Sequence, residues 1–198
     1  MSLLITHSLL NSWQYALSPM MDSDDPWQDF LTVLCREHTQ PSEAMQKGID
    51  FENLVMDIVN GQALEPDSWY GAASKIAQEI KGGVYQYKAM RTEQIGGTDF
   101  LLYGRLDVLK AGEIMDIKYS GSYERGKFYG FTQHPFYFEL IPEAQTFSYL
   151  VSNGIEVWTE TYRRDETRDI KPLISDFAEW LRNVGLWDEY EKHWRARQ

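Results

Sequence analysis

The residue pattern predicts an α/β (α+β) fold, with a mixed central β-sheet of about four or five strands flanked by helices. Three observations carry this expectation. Helical spacing of apolar residues dominates up to residue 81, strand-like alternation takes over from residue 84, and one further helical stretch separates a last strand from the others.

Taken in order, residues 8–17 read as a short helix ended by Ser18 and Pro19. Asp22, Ser23, Asp24, Asp25 and Pro26 form a polar loop leading into a helix over residues 27–38, in which Trp27, Phe30, Leu31 and Leu34 recur at helical spacing. Ser42 opens the next helix, and Glu43 falls in its first turn, where the macrodipole favours an acid. Phe51, Leu54, Val55, Ile58 and Val59 give it an apolar stripe with Glu52 at the edge, and Asn60 and Gly61 stop it. Residues 67–81 form another helix, closed by Gly82 and Gly83. Residues 84–91 alternate as a strand, Gly96 and Gly97 make a turn, and residues 101–109 and 113–119 form a hairpin around Lys110, Ala111 and Gly112. After a polar, aromatic connector, residues 136–151 read as a helix, with Pro142 either breaking it or beginning its main part. Residues 155–162 alternate as a strand, and residues 170–183 and 186–196 read as two terminal helices hinged at Gly185.

The chain of 198 residues is 43% hydrophobic and 14% aromatic, enough for one globular domain with a sizeable core. Within it we distinguish an N-terminal helical region (1–44), an αβββαβ core (45–162) and C-terminal helices (163–198). No apolar run approaches the roughly 18 residues of a membrane span, and the N-terminus lacks the basic flank and apolar block of a signal peptide. A soluble, cytoplasmic protein is expected. The one cysteine, Cys35, excludes an intrachain disulfide and reads as a buried thiol among Leu31, Val33 and Leu34. A net charge of −11 argues against general affinity for nucleic acid. The excess is uneven: residues 1–99 carry 6 basic and 14 acidic side chains, residues 100–198 carry 13 and 16. Local positive patches therefore remain open in the second half.

The hairpin gathers chemistry. With Ala111 and Gly112 as the loop, residue 110 pairs with 113, 109 with 114, 108 with 115, and 107 with 116. Asp107 and Asp116 then stand across from one another with Lys118 on the same face. Two carboxylates so close conflict unless a cation sits between them, and a hard divalent ion with a preference for oxygen ligands resolves the conflict. The bland alternative is a surface hairpin with scattered charges. Around it stand Gly48 and Glu52, four apart on a helix, and Gln145 and Tyr149, expected one turn apart on the following helix. His134 lies among aromatics and reads as structural. Trp180, Trp187 and Trp194 recur every seven residues and read as packing.

This ordered set resembles the PD-(D/E)XK nuclease superfamily, and within it the RecB-like and phage exonuclease group. Gly48 and Glu52 match its GxxxE motif, Gly104 and Asp107 its GxxD motif, Asp116 and Lys118 its (D/E)xK motif, and Gln145 and Tyr149 its QxxxY motif. Residue 106 is leucine rather than the proline of the superfamily's name. The resemblance implies a restriction-endonuclease-like core and metal-dependent hydrolysis of DNA phosphodiester bonds by an exonuclease of phage or recombination and repair type. It implies Glu52, Asp107, Asp116 and the Ile117 carbonyl as ligands of one or two Mg²⁺ or Mn²⁺ ions, which activate a water and neutralise phosphate charge. Lys118 would orient or deprotonate that water, with Gln145 and Tyr149 completing the catalytic set. Arg125, Lys127, Arg163, Arg164, Arg168 and Lys171 are expected phosphate contacts, or else a solvated surface. The partner expected is DNA, with a recombination or annealing protein and homo-oligomerisation left open. The four-cysteine iron–sulfur cluster of some relatives has no ligands here. A structure-specific or restriction-type endonuclease and an inactive nucleic-acid-binding module are the alternatives.

Overall fold

A computed structural model describes residues 2–18, 25–63, 65 and 68–196. Pro19, the start of the polar loop at Asp22, Ser23 and Asp24, and Asp67 at the start of an expected helix lie outside the described residues.

The chain runs β1 (Leu3–Ile5), α1 (His7–Leu17), α2 (Pro26–Leu34), α3 (Glu43–Val59), α4 (Tyr70–Ile80), β2 (Val84–Ile95), β3 (Thr98–Lys110), β4 (Glu113–Tyr119), α5 (Gln133–Leu140), β5 (Thr146–Ser152), β6 (Val157–Arg163), a 3₁₀ turn (Arg164–Glu166), α6 (Lys171–Asn183) and α7 (Trp187–Trp194). Local chemistry sets the ends. The Thr6, Asp25 and Ser42 side chains each accept a backbone N–H in the first turn of the helix they precede. The helix expected to reach residue 38 stops at Leu34, because Arg36 turns the chain into left-handed space at φ 54°.

The mixed sheet flanked by helices is present, with six strands among the described residues rather than four or five. One extra strand is the short β1. The other corrects an expectation: residues 146–152, read as part of a helix over 136–151, form β5, and α5 lies upstream at Gln133–Leu140. Thr146 to Ser152 are buried almost throughout because β5 is covered on both faces, so the strand carries no period-2 signal. β5 pairs parallel with β4 and antiparallel with β6.

Two apolar layers cover the sheet. On one face, α1, α2, α5, α6 and α7 pack over Phe100, Leu102, Leu106, Ile114 and Phe147. On the other, α3 and α4 pack over Val108, Met115, Ile117 and Leu150.

The sheet is forked at β3. One edge of β3 pairs with β2 along nearly its whole length. The other edge is shared: β1 takes Phe100 to Leu102 in parallel, and β4 takes only Val108 to Lys110. Between these segments, around Asp107, β3 and β4 are splayed. The β2 ladder also breaks here, pairing Tyr85 with Val108 and Tyr87 with Leu106 but not Gln86 with Asp107. Gln86 has φ 51°, a left-handed conformation uncommon for a residue with a side chain. Across the break the strand changes face. Leu106 and Ala89 point into the first layer, while Val108 and Tyr85 point into the second. A regular strand would hold residues 106 and 108 on one side.

Candidate active site

The fork brings the expected acidic residues together. The β3–β4 ladder follows the expected register from Lys110–Glu113 to Val108–Met115 and then ends, so Asp107 and Asp116 are not a regular cross-strand pair. Asp107 Oδ2 instead accepts the Ile117 N–H at 2.9 Å, which closes the splay with a side chain. Asp116 is buried on β4: Gln133 Nε2 donates to its Oδ1 at 2.5 Å, and the Lys118 ammonium stands 2.7 Å from its Oδ2. Glu52 reaches in from α3, where Gln86 Nε2 donates to its Oε1 at 2.9 Å. The turn imposed by the φ of Gln86 thus has a visible consequence, a hydrogen bond to a carboxylate on another element.

The charges act on each other. Burial first, then the Asp116 and Glu52 carboxylates, hold the Asp107 carboxyl well above its ordinary range, against the pull of Lys118 and the Ile117 amide. Burial works against the Lys118 ammonium, but Asp116, Asp107 and Glu52 together raise its affinity for the proton. Glu52, Asp107, Asp116 and Lys118 therefore share one electrostatic site. Asp116 Oδ2 is buried, and the Lys118 ammonium pairs with it at 2.7 Å. The Asp116, Asp107 and Glu52 carboxylates offer the all-oxygen donor type that hard divalent cations take.

Gly104 has a packing reason to be glycine. A Cβ there would overlap the Tyr137 ring and come within 2.9 Å of Leu140 Cδ1, so α5 can lie against β3 only because this side chain is missing. Gly48 has no such reason, since a Cβ at that position meets nothing within 4 Å.

Gln145 and Tyr149 are not on a helix: Tyr149 stands beside Asp116 in the parallel β4–β5 ladder, whereas Gln145 lies outside it. Gln145 precedes β5, and its side chain turns back to the Glu143 carbonyl at 3.3 Å. Tyr149 is fully buried in β5, stacked on Phe128 at 4.4 Å, with its hydroxyl 3.2 Å from His134 Nδ1. The helical glutamine is Gln133, with Tyr137 one turn later. Gln133 holds Asp116, and the Tyr137 hydroxyl donates to the Arg105 carbonyl at 2.9 Å in the gap of the fork. The same Gln-x3-Tyr spacing occurs at 133–137 and at 145–149, so the signal that would have found it was in the sequence. The sequence also gave no notice of His7, whose ring lies 5.2 Å from that of Tyr137 and which burial, then Lys118, lowers to about 3, keeping it neutral.

The expected phosphate contacts separate. The Arg164 guanidinium donates to the carbonyls of Ala144, Phe138 and Ile141 at 2.6–2.7 Å and lies over the Phe138 ring. Three of its N–H donors are taken up in closing the end of α5. Arg163 is exposed and pairs with Asp165 at 3.2 Å, Arg168 bonds the Gly130 carbonyl at 3.2 Å, and Lys171 bridges Glu93 and Glu139 at 3.2 Å each. Arg125 and Lys127 line an open pocket of about 390 Å³ on the connector that follows β4. That connector is anchored by buried Glu160, which accepts bonds from the Tyr123 and Tyr162 hydroxyls and the Gly126 and Phe128 amides. Burial favours a proton on Glu160, yet these bonds bring it below the ordinary carboxylate range.

No helix among the described residues is long and apolar enough to cross a membrane. No family model and no curated protein matches the chain. Two solved structures are similar in shape. One, a protein described as SSO0001, superposes with a TM-score of 0.53 at 14% identity over 93% of this chain and 77% of its own. The other, LHK-Exo in complex with dAMP, gives a TM-score of 0.44 at 13% identity over 95% of this chain and 90% of its own. At such identities the first likeness concerns the fold alone.

Proposed function

We propose that this chain is a divalent-metal-dependent nuclease that hydrolyses DNA phosphodiester bonds at the fork, acting as an exonuclease. The observation that carries the reading is the electrostatic coupling of Glu52, Asp107 and Asp116 with Lys118, whose ammonium lies 2.7 Å from the buried Asp116 carboxylate. Mutually repelling acids at a break in a sheet are unfavourable for folding, and a catalytic cation accounts for them.

In this mechanism the Glu52, Asp107 and Asp116 carboxylates and the Ile117 carbonyl would hold Mg²⁺ or Mn²⁺, which would supply charge neutralisation at the phosphate and acidification of a water. Lys118 sets a positive charge beside the reacting phosphate and orients the attacking water. Gln133 fixes the Asp116 carboxylate, and Gln86 fixes that of Glu52. The Glu160-anchored connector presents Arg125 and Lys127 to the DNA backbone as sequence-independent contacts.

The test is incubation with Mg²⁺ or Mn²⁺ on linear and covalently closed circular duplex DNA, with an EDTA control and Asp116→Asn. Metal-dependent loss of linear DNA alone, abolished in the variant, is expected. Cutting of circles would replace the exonuclease by an endonuclease, and absence of cutting on any DNA would overturn the reading.

A further inference from the structure

A second cluster of metal-ligating side chains lies between α2 and α7, built from residues with no role at the fork. Cys35 caps the C-terminal end of α2, and Glu189 and His193 stand one turn apart on α7. The thiol sulfur, a carboxylate oxygen and an imidazole nitrogen all lie within 4.8 Å of one another, and all three residues are half-buried. Their backbones are held in place independently of any ligand. Trp194 Nε1 donates to the Leu34 carbonyl at 2.7 Å, the Tyr190 hydroxyl donates to the Leu4 carbonyl at 2.8 Å, and Ala196 N donates to the Ser2 carbonyl at 3.1 Å. The donors therefore come from two elements fixed to one another and to β1.

We propose that Cys35, Glu189 and His193 form a zinc site that fastens α7 to α2. The donor set selects the metal. A thiolate and an imidazole suit Zn²⁺ far better than Mg²⁺, whereas the all-oxygen fork suits the hard ion. With the thiol proton released to solvent and His193 neutral, one thiolate and one carboxylate balance the dication. Zinc–ligand bonds of about 2.0–2.3 Å require tetrahedral donors ~3.5 Å apart. Rotation of the half-buried Glu189 side chain supplies the closure. Its present partners, Lys192 Nζ at 3.0 Å and His193 Nε2 at 3.3 Å from Oε2, are surface ion pairs that exchange readily. A water would serve as the fourth ligand, since His193 borders a cavity of about 380 Å³.

The proposal stands apart from the nuclease reading and is tested without DNA. Full-length protein is stripped with EDTA and titrated with Co²⁺, whose thiolate charge-transfer absorption reports a Co–S bond. Expected are a band that saturates at one equivalent at micromolar Co²⁺, displacement by Zn²⁺, absence of the band in Cys35→Ser, and at least tenfold weaker binding in His193→Gln. The fork variant Asp107→Asn should keep the band. Zn²⁺ should raise the Tm of the parent more than that of Cys35→Ser, with circular dichroism showing that the variant is folded. No thiolate band in the parent, or saturation only at millimolar metal, would overturn the site. Equal Zn²⁺ stabilisation of folded Cys35→Ser would do the same.

Discussion

Gln86 offers a perturbation in which stability and activity should part. Its left-handed backbone is the kind of strain that costs about 1–3 kcal/mol in a residue with a side chain, and Gln lies near the low end. Gln86→Gly removes that strain but returns about 0.5–1 kcal/mol through the greater freedom of glycine in the unfolded chain. It also removes the bond to Glu52 Oε1 at 2.9 Å, worth about 1.5–3 kcal/mol for a charged acceptor when buried and less at this half-buried position. The opposing effects leave a net stability change within about 1 kcal/mol, a small movement in Tm. Glu52, however, loses the group that aims it. Loss of such a supporting contact lowers metal affinity about 10–100-fold. The Mg²⁺ concentration for half-maximal DNA cleavage should rise by that factor, with most of the rate recovered at saturating Mg²⁺. Gln86→Ala should show the same Mg²⁺ shift and keep the strain, and so be the less stable of the two. An unchanged Mg²⁺ dependence in both variants would refute the link between the twist in β2 and the Glu52 carboxylate.

Other outcomes follow from the same geometry. Gly104→Ala drives a methyl into buried Tyr137, and overpacking of this kind costs about 1–3 kcal/mol. Denaturant unfolding should show it, together with slower cleavage as Gln133 shifts off Asp116. In EDTA, Asp107 binds its proton more tightly folded than unfolded, so the folded state holds more protons above the ordinary value of 3.8. Stability should therefore fall as pH rises through and above that value, and Asp107→Asn should flatten the fall. Gln133→Ala should impair cleavage while Gln145→Ala leaves it near the parent rate, measured on one DNA substrate at saturating Mg²⁺.

Much of the fold is legible because short-range chemistry writes it. Ala111 and Gly112, at φ 50° and 81°, form the left-handed turn that the hairpin needs, and Ser42 and Asn60 bound α3 where capping residues should. Residues 146–152 are illegible for a physical reason. A strand buried on both faces is apolar without alternation, so the helical spacing expected of Gln145 and Tyr149 is one that β5 does not have. The fork depends on contacts far apart in sequence. Residues 3–5 occupy the edge of β3 that β4 would otherwise extend along, and no local pattern in either strand announces it. The acids were legible because carboxylates on facing strands are unusual; the hands that hold them, Gln133 and Gln86, were not.

The most direct measurement is single-turnover cleavage of a linear DNA duplex by Asp107→Asn beside the parent, both at saturating Mg²⁺ and both shown folded. The change preserves side-chain shape and removes one charge from the fork. Several kcal/mol of transition-state stabilisation depend on the cation held there, at about 1.4 kcal/mol per tenfold in rate. The account predicts a loss of about 100-fold or more, with the parent inactive in EDTA. A variant that cleaves at the parental rate would contradict it.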